Sequence, residues 1–233
     1  MPRAVLAVPS IAFFTLALAG PALVAALVDR TGRSAHRIVK AWGRCIVRAC
    51  GVDVAVSGAE NLAPGPVVFA ANHGSALDIP ILFGYLPADF RVIHKSSLSR
   101  IPLLGLYLRV AGHVAMDRGN PFRATRSLAE AAEHIRNGNS VAAFPEGTRS
   151  RDGSVQPFKR GSFVIAVKAG VPLVPVSIVG VKQVAPRGIL TLRPGNVRLR
   201  IHPAIPTAGR SADDAETLAE DVRQVVARGC SEA

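Results

Sequence analysis

Cysteine, aromatic and acidic residues are all scarce in this chain of 233 residues. The three cysteines, Cys45, Cys50 and Cys230, form no C-x-x-C pair, so neither a disulfide framework nor a zinc site is supported, and a reducing compartment is the simpler expectation. Aromatic residues make up only 5% of the chain, and no known nucleic-acid motif is visible, which argues against nucleic-acid binding. Charged residues account for 19%, and the mean hydropathy of +0.29 excludes a disordered chain.

The shortage of acids leaves the chain strongly basic, with 28 lysines and arginines against 16 aspartates and glutamates and a formal net charge of +12. The last segment, Ser211–Ala233, holds six of the acids and two of the bases. Residues 1–210 therefore carry 26 bases and 10 acids, a net +16. Such a surface attracts nucleic acid, anionic lipid, phosphate groups or an acidic carrier protein. Together with the apolar composition, it points towards a membrane.

The N-terminal part of the chain contains an uncharged run of 25 residues, Ala4–Val28. As a single helix this run is long enough to cross a hydrocarbon core of about 30 Å. Gly20-Pro21 interrupts it, so a kinked span and a re-entrant or interfacial hairpin are both expected alternatives, and Ala17-Leu18-Ala19 leaves a cleavable signal peptide open. Basic residues follow the run more often than they precede it, which predicts a membrane protein whose active site lies on the cytoplasmic face.

The basic stretch after this run has the pattern of an amphipathic helix. Its apolar face holds Ile38, Val39, Trp42 and Ile46, and its basic face holds Arg37, Lys40, Arg44 and Arg48. The pattern is typical of a helix lying in a bilayer interface and equally of a helix packed on a domain core. We therefore divide the chain into a membrane-anchoring segment that includes this helix, residues 1–50, and a single domain, residues 51–233.

Strand-like and helix-like segments alternate after residue 50, which predicts an α/β domain with a mostly central mixed sheet flanked by helices. The candidate strands are Val52–Val56, Val67–Ala71, Phe90–His94, His113–Asp117, Ser140–Phe144, Leu173–Val179, Ile189–Leu192 and Val197–Ile201. The candidate helices are Pro121–Asn137 with Asn120 as its N-cap, a helix from about Phe158 to Ala169, and a last helix that starts at Ser211.

The strand candidate that ends at Ala71 is followed at once by His73, with Asp78 five residues later. If the chain turns at Gly74 and enters a helix near Ser75, Asp78 can accept a hydrogen bond from one ring nitrogen of His73. The other nitrogen is then a base able to take a proton from a hydroxyl. Taken alone, the pair is also compatible with a purely structural hydrogen bond.

Three further sequence blocks decide between a catalytic and a purely structural role for His73 and Asp78. They are Gly112 with Asp117-Arg118, Phe144-Pro145-Glu146-Gly147-Thr148-Arg149, and Val171-Pro172 with Pro175-Val176. With Asn72-His73 and Asp78 they resemble, in order and spacing, the four blocks of the glycerolipid acyltransferases. The likeness is greatest to the 1-acyl-sn-glycerol-3-phosphate (lysophosphatidate) acyltransferases, and it covers roughly the central half of the chain.

This resemblance implies transfer of a fatty acyl group from acyl-CoA or acyl carrier protein to the free sn-2 hydroxyl of lysophosphatidate, which gives phosphatidate. It implies that His73 is the general base, that Asp78 orients it, and that no acyl-enzyme forms. The substrate-binding residues implied by the family's pattern are Lys95, Arg118, Glu146, Gly147, Thr148 and Arg149, of which the basic members hold the acceptor's phosphate.

The implied partners are a lysophospholipid acceptor, acyl-CoA or acyl carrier protein as the donor, and a membrane bilayer. No metal, no nucleic acid and no cofactor besides the donor are expected. The residues between His73 and Asp78 do not fix the acceptor, so another lysolipid, such as lyso-ornithine lipid, stays an alternative. Two other function classes compete with an acyltransferase. One is a hydrolase that pairs His73 with a serine, and the other is a basic binding module without catalysis.

Overall fold

The computed structural model describes residues 2–62, 64–117, 121–186 and 191–232. The α-helices in these ranges are α1 (Pro2–Val28), α2 (Arg33–Ala49), α3 (Asp78–Tyr85), α4 (Leu104–Val110), α5 (Pro121–Arg136), α6 (Gly161–Ala169), α7 (Val181–Val184) and α8 (Ala215–Ser231). The strands are β1 (Val52–Ser57), β2 (Val68–Ala71), β3 (Phe90–Lys95), β4 (Val114–Met116), β5 (Ser140–Ala143), β6 (Leu173–Val179) and β7 (Gly195–Ile201).

The strands form one mixed sheet in the order β1-β7-β6-β2-β5-β3-β4. Every neighbouring pair is parallel except β6 and β7, which are antiparallel. In the centre of the sheet, Val68 of β2 pairs with Val141 of β5 on one side and with Leu173 of β6 on the other. Because β6, β2, β5, β3 and β4 run in the same direction, their carboxyl ends meet at one edge of the sheet. We call it the carboxyl edge, and it is where α/β folds place their sites.

Helices cover both faces of the sheet, so its central strands are apolar on both sides. Successive residues of a strand point to opposite faces. In β2, Phe69 and Ala71 belong to a core that includes side chains of α2 and α3. Val68 and Ala70 belong to a second core, with side chains of α5, α6 and α8. All of β2 is buried, which explains the uninterrupted apolar run in its sequence.

The helices α1 and α2 form a hairpin that is fastened to the domain at two places. In α2, a Cβ added to Gly43 would lie only 2.4 Å from the carbonyl oxygen of Pro80 in α3, so the two helices touch backbone to backbone. At the loop between α1 and α2, the buried guanidinium of Arg91 donates hydrogen bonds to the carbonyl oxygen of Thr31 and to the Asp89 carboxylate. The apolar face of α2 therefore packs on the domain core, and its cations Arg37, Arg44 and Arg48 are exposed.

The course of α1 differs from the prediction of a break at Gly20-Pro21. The helix continues without interruption through both Pro9 and Pro21. A proline inside a helix removes one backbone donor, and Pro21 is exposed, so its ring displaces no packed side chain and the remaining hydrogen bonds carry the helix on. Within the described ranges, Val8–Val28 is the one helix long and apolar enough to cross a membrane.

Helix α6 begins at Gly161, later than the predicted start near Phe158. The backbone N–H of Lys159 donates to the carbonyl oxygen of Pro145, in the loop after β5, instead of joining a helix. The last helix, predicted to start at Ser211, begins as an α-helix only at Ala215; Ser211 instead caps a 3-10 turn, Ala212–Asp214, that leads into α8, and forms a capping box with Asp214. The short helices α4 and α7 are absent from the sequence predictions.

The predicted strand Ile189–Leu192 is wrong at its described end, since Leu192 lies in no strand, and residues 187–190 lie outside the described residues. The antiparallel partner of β6 is instead β7, which begins at Gly195 and pairs in parallel with β1 on its other side. The predicted N-cap of α5, Asn120, also lies outside the described residues.

Replacement of Gly43 by alanine tests the contact between α2 and α3. We expect Gly43→Ala to lower the free energy of unfolding by about 1–3 kcal/mol, because the added methyl group forces the two helix backbones apart. The measurement is the thermal midpoint by circular dichroism in detergent. Gly20→Ala is the matched control, since no atom lies within 4 Å of a Cβ there, and its midpoint should stay or rise slightly. An unchanged midpoint in Gly43→Ala would contradict the close packing.

Candidate active site

His73 lies at the carboxyl edge, two residues after the end of β2, with its side chain 15% exposed. Its Nδ1 is 2.8 Å from Oδ2 of Asp78, the first residue of α3, whose side chain is buried. The backbone N–H groups of Gly74 and Ser75 donate to the same oxygen, each at 2.7 Å. The loop is thus folded around one carboxylate, and the contact expected from the spacing of His73 and Asp78 is present.

The Asp78 carboxylate selects the ring nitrogen of His73 that carries the proton. A carboxylate oxygen accepts hydrogen bonds, so the neutral imidazole has its proton on Nδ1 and a lone pair on Nε2. With Nδ1 bound to Asp78, Nε2 is the nitrogen left for a substrate. This tautomer and orientation are what a histidine needs to act as a base towards a hydroxyl.

The loop after β5 holds His73 from the other side. The backbone N–H of His73 donates to Oε1 of Glu146 at 2.8 Å, and its carbonyl oxygen accepts from the N–H of Ser150, also at 2.8 Å. The ring of Phe144 stacks on the imidazole, with centroids 4.2 Å apart and planes 23° apart. Both backbone groups and the ring of His73 are therefore fixed before any substrate arrives.

Asn72 extends the pairing of β2 and β6 at the point where β2 ends. Its Nδ2 donates to the carbonyl oxygen of Ile178 at 3.0 Å, and its Oδ1 accepts from the N–H of the same residue at 2.8 Å. The side chain is buried, so it is not open to a substrate. Asn72 therefore supports the position of its neighbour His73, a role that the sequence pattern alone does not reveal.

The titration of Glu146 is displaced by its surroundings. Burial raises its pKa above the ordinary value of 4.5, and the nearby Asp78 acts in the same direction. The hydrogen bond from the backbone N–H of His73 opposes the shift, but burial is the larger effect. Folding therefore favours the protonated form of Glu146 more than a surface glutamate would.

Two of the three predicted phosphate-binding cations, Lys95 and Arg149, lie at the same edge. Lys95 ends β3 and is exposed, and it pairs with Met116 of β4. Arg149 is exposed on the loop after β5. Within the described ranges, neither Lys95 nor Arg149 forms an ion pair with an acid. The third predicted cation, Arg118, lies outside the described residues.

The remaining predicted residues belong to the turn after β5. Gly147 has a φ of +76°, a backbone conformation that favours glycine and that lets the chain turn sharply after Glu146. Thr148, the next residue, is exposed. The turn thus separates a buried carboxyl group that holds His73 from an exposed pair, Thr148 and Arg149, that is open to a ligand.

A further cation at the carboxyl edge, Lys182, belongs to no motif. It lies in α7, directly after β6, and its Cγ is 3.9 Å from the position that a Cβ on Gly74 would take. Its Nζ donates to the carbonyl oxygen of Arg151 at 3.2 Å. No local pattern marks this lysine, because its position next to the His73 loop depends on β6 and β2 being neighbours in the sheet.

The site combines an oriented base with exposed cations, an arrangement suited to removing a proton from a hydroxyl on a substrate that carries phosphate. No cluster of three or more histidine, cysteine or acidic side chains that could hold a metal ion occurs among the residues that the structure describes.

Comparison with known proteins gives the same picture. The model of the Acyltransferase family matches residues 53–179. A 1-acyl-sn-glycerol-3-phosphate acyltransferase of Chlamydomonas reinhardtii is 37% identical over 92% of this chain, and the human 1-acyl-sn-glycerol-3-phosphate acyltransferase alpha is 35% identical over 74% of it. The chain spans 64% of the algal protein and 62% of the human one, less than two thirds of each.

A solved structure agrees over nearly the whole length. The crystal structure of the 1-acyl-sn-glycerophosphate (LPA) acyltransferase PlsC from Thermotoga maritima superposes with a TM-score of 0.81 at 35% identity, covering 99% of this chain and 95% of that one. The fold is therefore that of PlsC, a single mixed sheet flanked by helices with an apolar N-terminal helix. From the family match, the relatives and the shared fold, this chain belongs to the acyltransferase family.

Proposed function

We propose that the chain transfers a fatty acyl group from acyl-CoA or acyl carrier protein to the free sn-2 hydroxyl of lysophosphatidate, giving phosphatidate. The observation that carries the proposal is the 2.8 Å contact between His73 Nδ1 and Asp78, which leaves Nε2 as the ring nitrogen available to act as a base. The names of the relatives, 1-acyl-sn-glycerol-3-phosphate acyltransferases, support the choice of acceptor. In this proposal the donor is a co-substrate, and no further cofactor takes part.

In the proposed reaction, Nε2 of His73 takes the proton of the acceptor hydroxyl while that oxygen attacks the thioester carbonyl carbon. The tetrahedral intermediate then collapses, the carbon–sulfur bond breaks, and the imidazolium gives the proton to the leaving thiolate. Asp78 stabilises the imidazolium and keeps the ring oriented. The acyl group passes directly between the substrates, and no bond to the protein forms.

Ser75 is the serine nearest to His73 in sequence, and its contacts favour this direct transfer over a serine nucleophile. The hydroxyl oxygen of Ser75 accepts from the backbone N–H of Leu77 at 3.3 Å, and its own N–H donates to Asp78. The side chain is buried, so it does not present a hydroxyl to a substrate. We therefore expect serine-directed reagents to leave the activity intact, whereas a hydrolase built on His73 and a serine would be inactivated.

The acceptor's phosphate is proposed to bind the cations of the carboxyl edge. Lys95 and Arg149 are exposed and unpaired with acids within the described residues, and the family resemblance adds Arg118. A phosphomonoester held there places the neighbouring glycerol hydroxyl within reach of His73, which makes the proton transfer effectively intramolecular. Gly147 and Thr148 would shape the turn against which the acceptor lies.

The decisive assay compares the wild type with His73→Ala and Asp78→Asn. Acyl-CoA and acyl carrier protein serve as donors, and lysophosphatidate and lyso-ornithine lipid as acceptors. We expect turnover of lysophosphatidate to fall about 10²–10⁴-fold in His73→Ala, because the variant has lost its base, and to fall strongly in Asp78→Asn, because the ring loses its orienting carboxylate.

Circular dichroism of both variants must show a folded protein. Full activity in a folded His73→Ala protein would contradict the mechanism. Product from lyso-ornithine lipid alone would keep the mechanism but replace the acceptor, and no product from any pair would remove the proposed reaction.

Arg149→Lys tests the phosphate contact while the charge is kept. We expect the KM for lysophosphatidate to rise about tenfold with a smaller change in kcat, because an ammonium cannot reproduce the planar two-pronged hydrogen bonding of a guanidinium. Arg151→Lys, two residues further along the same loop, is the matched control and should leave the KM unchanged. Equal KM values for wild type and Arg149→Lys would count against a phosphate role for Arg149.

The raised pKa of Glu146 makes the stability of the protein depend on pH in a defined direction. A carboxyl group whose pKa is raised by folding contributes most to stability below its ordinary pKa, here 4.5, and this contribution is lost as the pH rises through the folded pKa. Glu146→Gln removes the titration but keeps a carbonyl oxygen that can accept from the His73 N–H. We therefore expect the stability of the wild type, measured relative to Glu146→Gln by urea unfolding, to decline between pH 4 and neutrality.

Glu146→Ala is the comparison that isolates the hydrogen bond. It leaves the N–H of His73 without its partner, so its free energy of unfolding should lie about 1–3 kcal/mol below that of Glu146→Gln at every pH. A stability difference between wild type and Glu146→Gln that stays constant with pH would contradict the raised pKa.

A further inference from the structure

The segment Leu98–Leu106 exposes a dense group of apolar side chains; we call it the leucine segment. It holds five of the eight exposed large apolar residues that lie outside α1 in the described chain. Its exposed members are Leu98, Ile101, Leu103, Leu104 and Leu106. Single exposed apolar residues are ordinary on a protein surface, but a contiguous group of them marks an interaction surface.

The exposure of the leucine segment is built into the fold. A 3-10 turn, Ser96–Arg100, follows β3, and Gly105 at the start of α4 packs on it so closely that a Cβ would lie 2.1 Å from the carbonyl oxygen of Ser99. The N–H of Gly105 also donates to the carbonyl oxygen of Ile101 at 2.7 Å. The backbone is thus held in place from within, and its leucines point outward on a fixed frame.

Leu103 occupies a costly conformation at the apex of this segment. Its φ of +62° and ψ of −50°, with the N–H of Leu104 donating to the carbonyl oxygen of Pro102 at 2.7 Å, form a γ-turn of the rare, strained kind. Leu103 is the one described non-glycine residue with positive φ, and it is 73% exposed. Glycine would adopt this backbone with less strain, and the exposed leucine contributes little to the core. The side chain therefore serves a contact outside the fold.

The leucine segment leads into a helix that packs on α1. Ala25 and Ala26 of α1 pack with Tyr107 and Val110 of α4 and with Ala111, which joins the two helices side by side. Beyond this contact α1 presents its own exposed apolar residues, namely Phe13, Leu16, Val24, Leu27 and Val28. The leucine segment is therefore coupled through α4 to α1, which is the helix with the length and composition of a membrane element.

The charges around the leucine segment are all of one sign. Lys95, Arg100 and Arg109 are exposed, and no aspartate or glutamate occurs from Phe90 to Met116. An apolar surface with a basic rim is the pattern of an element that inserts into the interface of an anionic bilayer, where the leucines enter the acyl region and the cations meet lipid headgroups. An acidic soluble partner could pair with these cations but would leave the five exposed apolar side chains in water, whereas an anionic bilayer takes up both the apolar and the basic parts of the surface.

We propose that the leucine segment is a second membrane-insertion site, which acts with α1 to seat the carboxyl edge of the sheet on an anionic bilayer. Leu103 enters the lipid, and Arg100 and Arg109 stay among the headgroups. Because β3 runs from Lys95 directly into this segment, the edge that carries His73 faces the interface, and a lipid acceptor reaches it without crossing water. The proposal concerns membrane contact and stands independently of the acyl-transfer reaction.

Fluorescence of a relocated tryptophan tests the insertion. The chain has a single tryptophan, Trp42, so Trp42→Phe provides a silent background into which Leu103→Trp is introduced. The full-length protein is bound to vesicles of equal parts phosphatidylcholine and phosphatidylglycerol, with and without bromine on the acyl chains. We expect a blue shift on binding and a loss of fluorescence with the brominated lipid, since bromine quenches only a ring that lies in the acyl region.

Val56→Trp in the same background is the matched control. Val56 is 39% exposed on β1, at the opposite end of the sheet from β3 and β4, and its replacement should not be quenched. Flotation of both proteins with the vesicles shows that they are bound. An unquenched Leu103→Trp in floated protein would overturn the proposal, as would a blue shift that depends on protein concentration and not on lipid, which would assign the surface to a second copy of the chain.

Leu103→Gly separates membrane contact from a structural role. If the leucine serves only an outside contact, the variant should have a Tm in detergent equal to or higher than that of the wild type, because the γ-turn is relaxed and no packing is lost. A lower Tm would show that Leu103 stabilises the fold, and would overturn the argument for insertion.

Discussion

A single oxygen atom, Oδ2 of Asp78, determines the geometry on which the rest of the site depends. It accepts three hydrogen bonds, from the ring of His73 and from the N–H groups of Gly74 and Ser75, and so sets both the turn that leaves β2 and the start of α3. The neighbouring strands complete the support, β5 through Glu146 and β6 through the Asn72 amide. Because β2 lies in the middle of the sheet, its loop is held from both sides.

The parts of this site that sequence reasoning could reach are those set by short intervals. Five residues across a strand-to-helix turn are enough to return Asp78 to His73, and the nearly all-apolar segment of β6 gives its bounds, Leu173–Val179, without error. Contacts between residues on different strands cannot be predicted in this way. The Ser150 N–H on His73 and the approach of Lys182 to Gly74 depend on the order β6-β2-β5, which no local pattern in the sequence reports.

The N-terminal hairpin shows a second limit of prediction from sequence, because a bilayer interface and a protein core are both apolar and select the same pattern of residues. The apolar stripe of α2 suits a bilayer interface and a protein core equally well, and only the close approach of Gly43 to Pro80 decides for the core. Likewise, Pro21 is a reliable signal for a missing backbone donor but not for the end of a helix, because an exposed ring on a long apolar helix meets no obstacle. The surface that α2 contacts and the continuation of α1 through Pro21 are thus determined by packing partners and not by residue types.

The double attachment of the hairpin also determines how the protein responds to its surroundings. Arg91 fixes the loop between α1 and α2, and the close approach at Gly43 fixes α2 on α3, so the hairpin is attached to the domain at two places. An apolar helix in a bilayer adjusts to the thickness of the hydrocarbon layer by changing its tilt. With α1 in a bilayer as proposed, a tilt of this helix would turn the whole sheet with it, and lipid chain length and bilayer thickness would then set the angle at which the His73 edge meets the headgroups.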